Sequence, residues 1–180
     1  MTYMLNVNGQ DFEVEIKAHE TLADVLREKL GLIGVKVSCG EGECGSCTIL
    51  VDGIPCTACL MLGRQGEDHE LTTVEGIGDY NNLHPIQQAF IDEQGFQCGF
   101  CTPGFIMTAK AFLDENPNPT EEEVSIAMSG NICRCGAYPW IVKSVLKAAE
   151  TLRNEQRLGY NTVARVDDLS RSQYRKGSLS

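Results

Sequence analysis

Leu5 and Val7, then Phe12, Val14 and Ile16, alternate with polar residues on either side of Asn8-Gly9. A period of two broken by that dipeptide predicts a β-hairpin. The period then lengthens. Leu22, Val25, Leu26 and Leu30 share one helical face, with Thr21 as cap and Gly31 as stop, which predicts a helix. "TILVDGIPC" predicts a second hairpin turning at Asp52-Gly53, and "HELTTV" a further short strand. Hairpin, helix and hairpin in succession predict a small mixed sheet with one helix across it.

From residue 84 the period is helical. Pro85 opens "PIQQAFIDEQ" before Gly95, and Thr102-Pro103 opens "PGFIMTAKAFLDEN". Thr120 and Glu123 form a capping box ahead of "EEEVSIAMS", which Gly130 ends. Tyr138-Pro139 leads into Ile141, Val142, Val145, Leu146, Ala149 and Leu152 on one face. Four helices with short connections predict an up-and-down four-helix bundle. The polar, turn-rich "GDYNNL" at 78–83 reads as the linker between a first domain, residues 1–77, and a second, residues 84–156. The fold class is therefore α+β. Residues 157–180 carry no sustained period and read as an extended tail. Leu158, Tyr160, Val163, Val166 and Leu169, flanked by Arg157, Arg165, Arg171, Arg175 and Lys176, would suit docking on a partner's groove. A solvated terminus is the competing reading.

The composition, 42% hydrophobic and 22% charged, is that of a soluble globular protein. The net charge of −10 argues against nucleic acid, whose phosphates call for a basic face. The charge is uneven: residues 151–180 hold six Lys and Arg against three Asp and Glu, while residues 1–150 hold nine against twenty-two. "MTYMLNVNGQDF" has neither a basic nor an apolar leader region, and no apolar run approaches the roughly 20 residues that span a bilayer. A cytoplasmic protein is expected. In that compartment the nine cysteines read as metal ligands before disulfides.

Their spacing narrows the chemistry. In the first half the pattern is Cys39-x4-Cys44-x2-Cys47-x11-Cys59, whose first two intervals are those of a plant-type [2Fe–2S] loop. Gly40, Gly42 and Gly45 let the chain wrap closely and turn N–H groups toward sulfur. In the second half Cys98-x2-Cys101 and Cys133-x-Cys135 each precede a predicted helix. In an up-and-down bundle those two helix starts meet at one end, where positive dipole ends favour a negative cluster. Zinc competes for either set, since four cysteines also make a structural zinc site, although its usual paired CxxC knuckles are not the pattern here. A Rieske centre would need two histidines spaced with the cysteines. His19, His69 and His84 are not, and read as surface or capping residues. Cys56, the ninth, reads as a buried free thiol.

Taken together, "CGEGECGSC" with its distant Cys59, and "QCGFCTPG" with "GNICRC", closely resemble the small iron–sulfur subunit of the xanthine oxidase family of molybdenum hydroxylases, over roughly residues 3–155. The resemblance implies a β-grasp ferredoxin domain followed by a four-helix domain, with one [2Fe–2S] cluster in each. It implies that Cys39, Cys44, Cys47 and Cys59 ligate the outer cluster, near a flavin partner, and that Cys98, Cys101, Cys133 and Cys135 ligate the inner one. Gln97 matches the family glutamine that hydrogen-bonds molybdopterin, and Cys135 the ligand closest to it. The chain departs from the family's usual "CRCTGY" by Gly136-Ala137 in "CRCGAY". The implied role is electron transfer from molybdopterin on a large subunit to FAD on a medium subunit or to another acceptor, in a hetero-oligomer of which a dimer of heterotrimers is one form. No catalytic acid, base or nucleophile is expected on this chain. The rival readings are a free-standing two-cluster ferredoxin and a non-redox zinc adaptor.

Overall fold

The structure, a computed structural model, describes residues 1–158. The first half is a five-stranded sheet of order β2-β1-β5-β3-β4, comprising β1 (Thr2–Val7), β2 (Gln10–Glu15), β3 (Thr48–Val51), β4 (Ile54–Thr57) and β5 (Glu70–Thr72). Strands β1 and β5 run parallel and the other neighbours antiparallel. Both expected hairpins form. Each turns on two residues of positive φ, Asn8 and Gly9 at 54° and 74°, Asp52 and Gly53 at 51° and 81°, the geometry that matches strand twist.

Thr21 caps the first helix as expected: its hydroxyl accepts from the Asp24 amide while the Asp24 carboxylate accepts from the Thr21 amide, 3.0 Å away. Helix α1 (Leu22–Asp24) then widens into a π turn, Val25–Lys29. Leu22, Ala23, Val25 and Leu26 are buried against Leu5, Val7, Val14, Ile16, Ile49 and Leu71, whereas Leu30 is only half-buried.

The second half holds α2 (Pro85–Asp92), α3 (Thr102–Glu115), α4 (Glu121–Ala127) and α5 (Tyr138–Arg157), around Ile86, Phe90, Phe105, Met107, Val124, Ile141 and Val145. The capping box of Thr120 with Glu123 is present. His84 caps α2, its Nδ1 accepting from the Ile86 amide at 3.2 Å. Helix α5 reaches Arg157, with Leu158 at its C-cap, so the first two residues of the sequence-predicted tail belong to the helix end. The docking expected of the remainder, 159–180, lies outside the described residues. Among the described residues no helix is long and apolar enough to cross a membrane.

The two halves share strand β3. All four of its residues are buried. Ile49 and Val51 face the sheet's own core, and Leu50, on the opposite face, joins the helical core. A strand covered on both sides explains the unbroken apolar run Ile49-Leu50-Val51. It also brings the N-terminus of α3 against the Cys39–Cys47 loop.

Candidate metal centres

The loop from Cys39 to Cys47 carries almost no regular structure. It is shaped by Gly40, Gly42 and Gly45, with φ of 70°, 79° and 66°, where a side chain would be strained. The Glu41 amide points at Cys39 Sγ, 3.4 Å away. That amide first, then the Cys44 amide and the neighbouring Cys44 thiol, hold the Cys39 thiol down at about 6. Cys47 is the opposite case: burial, reinforced by the adjacent Cys59 thiol, pushes it up to about 12.

The second set is assembled from two distant segments. Cys98 is exposed, Cys135 half-buried, and Cys101 and Cys133 buried. The Phe100 amide and the Cys135 thiol lower Cys98. Burial, with the neighbouring Cys133 thiol, pushes Cys101 up to about 12. For Cys133, burial acts to raise the pKa, but the Ala137 amide, 3.4 Å from Sγ, and the Cys101 thiol prevail and lower it. The Cys133 amide donates to the Tyr138 hydroxyl at 2.9 Å. Gly136, at φ 74°, lets the turn close, so Gly136-Ala137 makes a sound turn and supplies the Ala137 donor.

The thiols therefore meet in facing pairs: Cys39 with Cys44 and Cys47 with Cys59 in the first half, Cys98 with Cys135 and Cys101 with Cys133 in the second. Among the described residues no three His, Cys, Asp or Glu side chains close around a single point. Pairs are what a dinuclear centre uses, two thiolates to each iron. Buried thiols that resist ionisation on their own are ionised outright by a bound cation. The donor chemistry, the inward amides and the left-handed glycines fit [2Fe–2S] clusters. Cys56 stands apart on β4, opposite Ile49. It is half-buried, not buried as the sequence suggested, because β4 is an edge strand.

Sequence reasoning missed the joint between the two sets. The Ile132 amide donates to the Cys44 carbonyl at 2.9 Å. The buried Gly45 carbonyl accepts from Asn131 Nδ2 at 2.9 Å and from Thr48 Oγ1 at 2.7 Å. A Cβ on Gly104 would stand 2.2 Å from that same carbonyl oxygen, and one on Gly45 would meet Asn131 and the Gly130 carbonyl. The only hint in the sequence is the run of small residues on both sides of the joint. Gln97 is exposed beside Cys98. Among the described residues, Thr102 Oγ1 is the buried side-chain polar atom left without a hydrogen-bond partner.

A β-grasp half and a helical half, each gathering four thiols, define a two-centre iron–sulfur protein. Residues 5–73 match the family described as 2Fe-2S iron-sulfur cluster binding domain, and residues 73–146 the family described as [2Fe-2S] binding domain. The chain is 45% identical over 154 residues to the nicotinate dehydrogenase small FeS subunit of Eubacterium barkeri, covering 86% of this chain and 98% of that protein. It is 47% identical over 151 residues to the nicotine 6-hydroxylase small subunit of Paenarthrobacter nicotinovorans, covering 84% and 91%. Among solved structures, quinoline 2-oxidoreductase from Pseudomonas putida 86 superposes with a TM-score of 0.82 at 42% identity, over 86% of this chain and 96% of that one. Aldehyde oxidoreductase from Desulfovibrio gigas superposes at 0.81 and 40% identity, but this chain covers only 17% of its length. The chain belongs to the small iron–sulfur subunits of the xanthine oxidase family of molybdenum hydroxylases.

Proposed function

We propose that this chain is the electron-transfer subunit of a molybdenum hydroxylase complex, with Cys39, Cys44, Cys47 and Cys59 holding the outer cluster and Cys98, Cys101, Cys133 and Cys135 the inner one. Two [2Fe–2S] clusters would supply one-electron steps between a molybdopterin site on a large subunit and FAD on a medium subunit or another acceptor. The observation that carries the reading is the hydrogen bond from the Ile132 amide to the Cys44 carbonyl. It ties a residue adjoining one thiol set directly to a member of the other, and a carrier with a single working centre has no use for such a joint. The aldehyde oxidoreductase of Desulfovibrio gigas, in which this unit is a sixth of one longer chain, supports a stable association with a larger catalytic body.

The chain's own residues divide the work. The Glu41, Phe100 and Ala137 amides stabilise negative sulfur. Phe105, fully buried, and Tyr138 pack edge to face at 6.3 Å and fix the Cys133 turn. Phe96 and Phe100 flank Cys98 in the chain, and Tyr138 and Trp140 open α5 just past Cys135; each is at least 40% exposed, apolar surface suited to docking on the large subunit. Gln97, exposed beside Cys98, would hydrogen-bond the pterin, with Cys135 the nearest thiolate. Substrate would bind on the large subunit, which is where selectivity would reside.

The test is iron analysis and EPR of the dithionite-reduced complex. About four irons per chain and two distinct signals are expected; zinc in place of iron, or a single signal, would refute the reading. Gln97→Ala should keep both signals and slow reduction of the clusters by substrate, and an unchanged rate would remove Gln97 from the pterin interface.

A further inference from the structure

Thr102 is the first residue of α3 and follows Cys101 directly. Its hydroxyl is shut away from solvent with no donor or acceptor in reach. Buried hydroxyls are rarely left so, because the lost hydration must be replaced. The usual local partners do not serve here. A threonine at the start of a helix commonly turns its hydroxyl to a backbone group nearby, but the next residue, Pro103, has no N–H to give. The Phe105 amide is taken by the Cys101 carbonyl at 3.2 Å, and the Gly99 carbonyl receives the Thr102 amide at 3.4 Å. What adjoins the hydroxyl in the chain is Cys101, a buried thiol of the inner set.

On the ligation proposed above, on which this inference rests, we infer that Thr102 Oγ1 donates its proton to a sulfur of the inner cluster. Its partner is then the bound group itself, which explains why the protein alone leaves the hydroxyl unmatched. The hydroxyl is a positioning and tuning group, not a ligand. A donor to cluster sulfur favours the more electron-rich reduced state and so raises the reduction potential. In the outer set, Thr48 Oγ1 is occupied by the Gly45 carbonyl, and Thr102 Oγ1 is the buried side-chain oxygen left without a protein partner among the described residues. Thr102 would thereby help to set the two clusters apart in potential.

The test compares the intact complex carrying wild-type chain, Thr102→Val and Thr102→Ser by EPR-monitored redox titration, with the outer signal as internal reference. Thr102→Val keeps the shape and loses the donor. It should lower the reduced-to-oxidised ratio of the inner cluster at fixed poise about tenfold, which is about 59 mV for a one-electron couple, and leave the outer cluster unmoved. Thr102→Ser should restore the wild-type potential. Pulsed EPR after exchange into deuterated water should show one exchangeable coupling to the inner cluster fewer in Thr102→Val than in Thr102→Ser. An inner potential unchanged in Thr102→Val, or shifted equally in both variants, overturns the inference while leaving the ligation standing. Absence of an inner signal in the wild type overturns the ligation itself. If Thr102→Val does not assemble, Thr102→Ala, which makes no demand on space, carries the same comparison.

Discussion

The two thiol sets differ in what shapes them. Three thiols of the first lie within nine residues, Cys39 to Cys47, and owe their direction to left-handed glycines in the loop. The second joins segments 98–101 and 133–135, and owes its assembly to the starts of α3 and α5 being packed at one end of the helical half. The first is local, the second tertiary. Yet the first is not self-sufficient, because Asn131 and Ile132 of the helical half close its loop. Dependence is therefore unequal: the inner thiols are gathered by the helix starts and take from the first half a hold on Ile132, whereas the outer loop is closed by donors from the second half.

Removing the helical core is the strongest way to break that contrast. Phe105 is fully buried and contacts Tyr138, whose hydroxyl holds the Cys133 turn. Phe105→Ala should cost about 3–5 kcal/mol. Both EPR signals should be lost or weakened together, and survival of a normal outer signal would show the outer loop to be independent after all. The pH dependence should come next in size. Burial, assisted by the Lys110 charge, holds the His84 imidazole down to about 4 from an ordinary 6.5. Its neutral Nδ1 accepts from the Ile86 amide. Because the folded state binds the proton less well than the unfolded chain, the stabilisation is complete above pH 6.5 and declines as the pH falls toward 4, by on the order of 2–3 kcal/mol. Denaturant titrations across this range should show the decline, with the inner signal failing no later than the outer, and His84→Asn should flatten it.

A substitution at the joint should separate the sets. Gly104→Ala drives a methyl group into the Gly45 carbonyl, backbone against backbone. It should cost about 1–3 kcal/mol and perturb the outer signal, with the inner potential little changed; the reverse pattern would invert the proposed dependence. The smallest effect belongs to Cys56→Ser on the edge strand. Stability should change by less than about 0.5 kcal/mol and both clusters should remain. Cys59→Ser, by contrast, should remove only the outer one.

The same local-against-tertiary division governs what the sequence discloses. The hairpins at Asn8-Gly9 and Asp52-Gly53, the Thr21 and Thr120 caps and the Pro-led helices are each specified by a few adjacent residues, and each forms where expected. The outer loop is legible for the same reason. The π turn at Val25–Lys29 is not, since its wider winding follows from packing against the sheet and leaves the apolar spacing almost unchanged. Nor are the roles of Asn131, Gly104 and the Tyr138 hydroxyl. Asn131 acts across 86 residues of chain, Gly104 serves by lacking a side chain, and Tyr138 reads as an ordinary helix start. Cys56 departs from expectation because burial on an edge strand depends on what lies beyond the sheet.

The Gly45 carbonyl, held by Asn131 and overlain by Gly104, also bears on biogenesis. A chain made from its N-terminus exposes the sheet before the helices exist, so residues 1–77 are complete on the ribosome while the outer loop still lacks its last donors. Iron delivered at that stage would meet an unsealed site. Because the seal comes from Asn131 of the same polypeptide, closure of the N-terminal loop would await synthesis of the helical half, and a product cut short before residue 131 should be impaired at its first centre as well as its second.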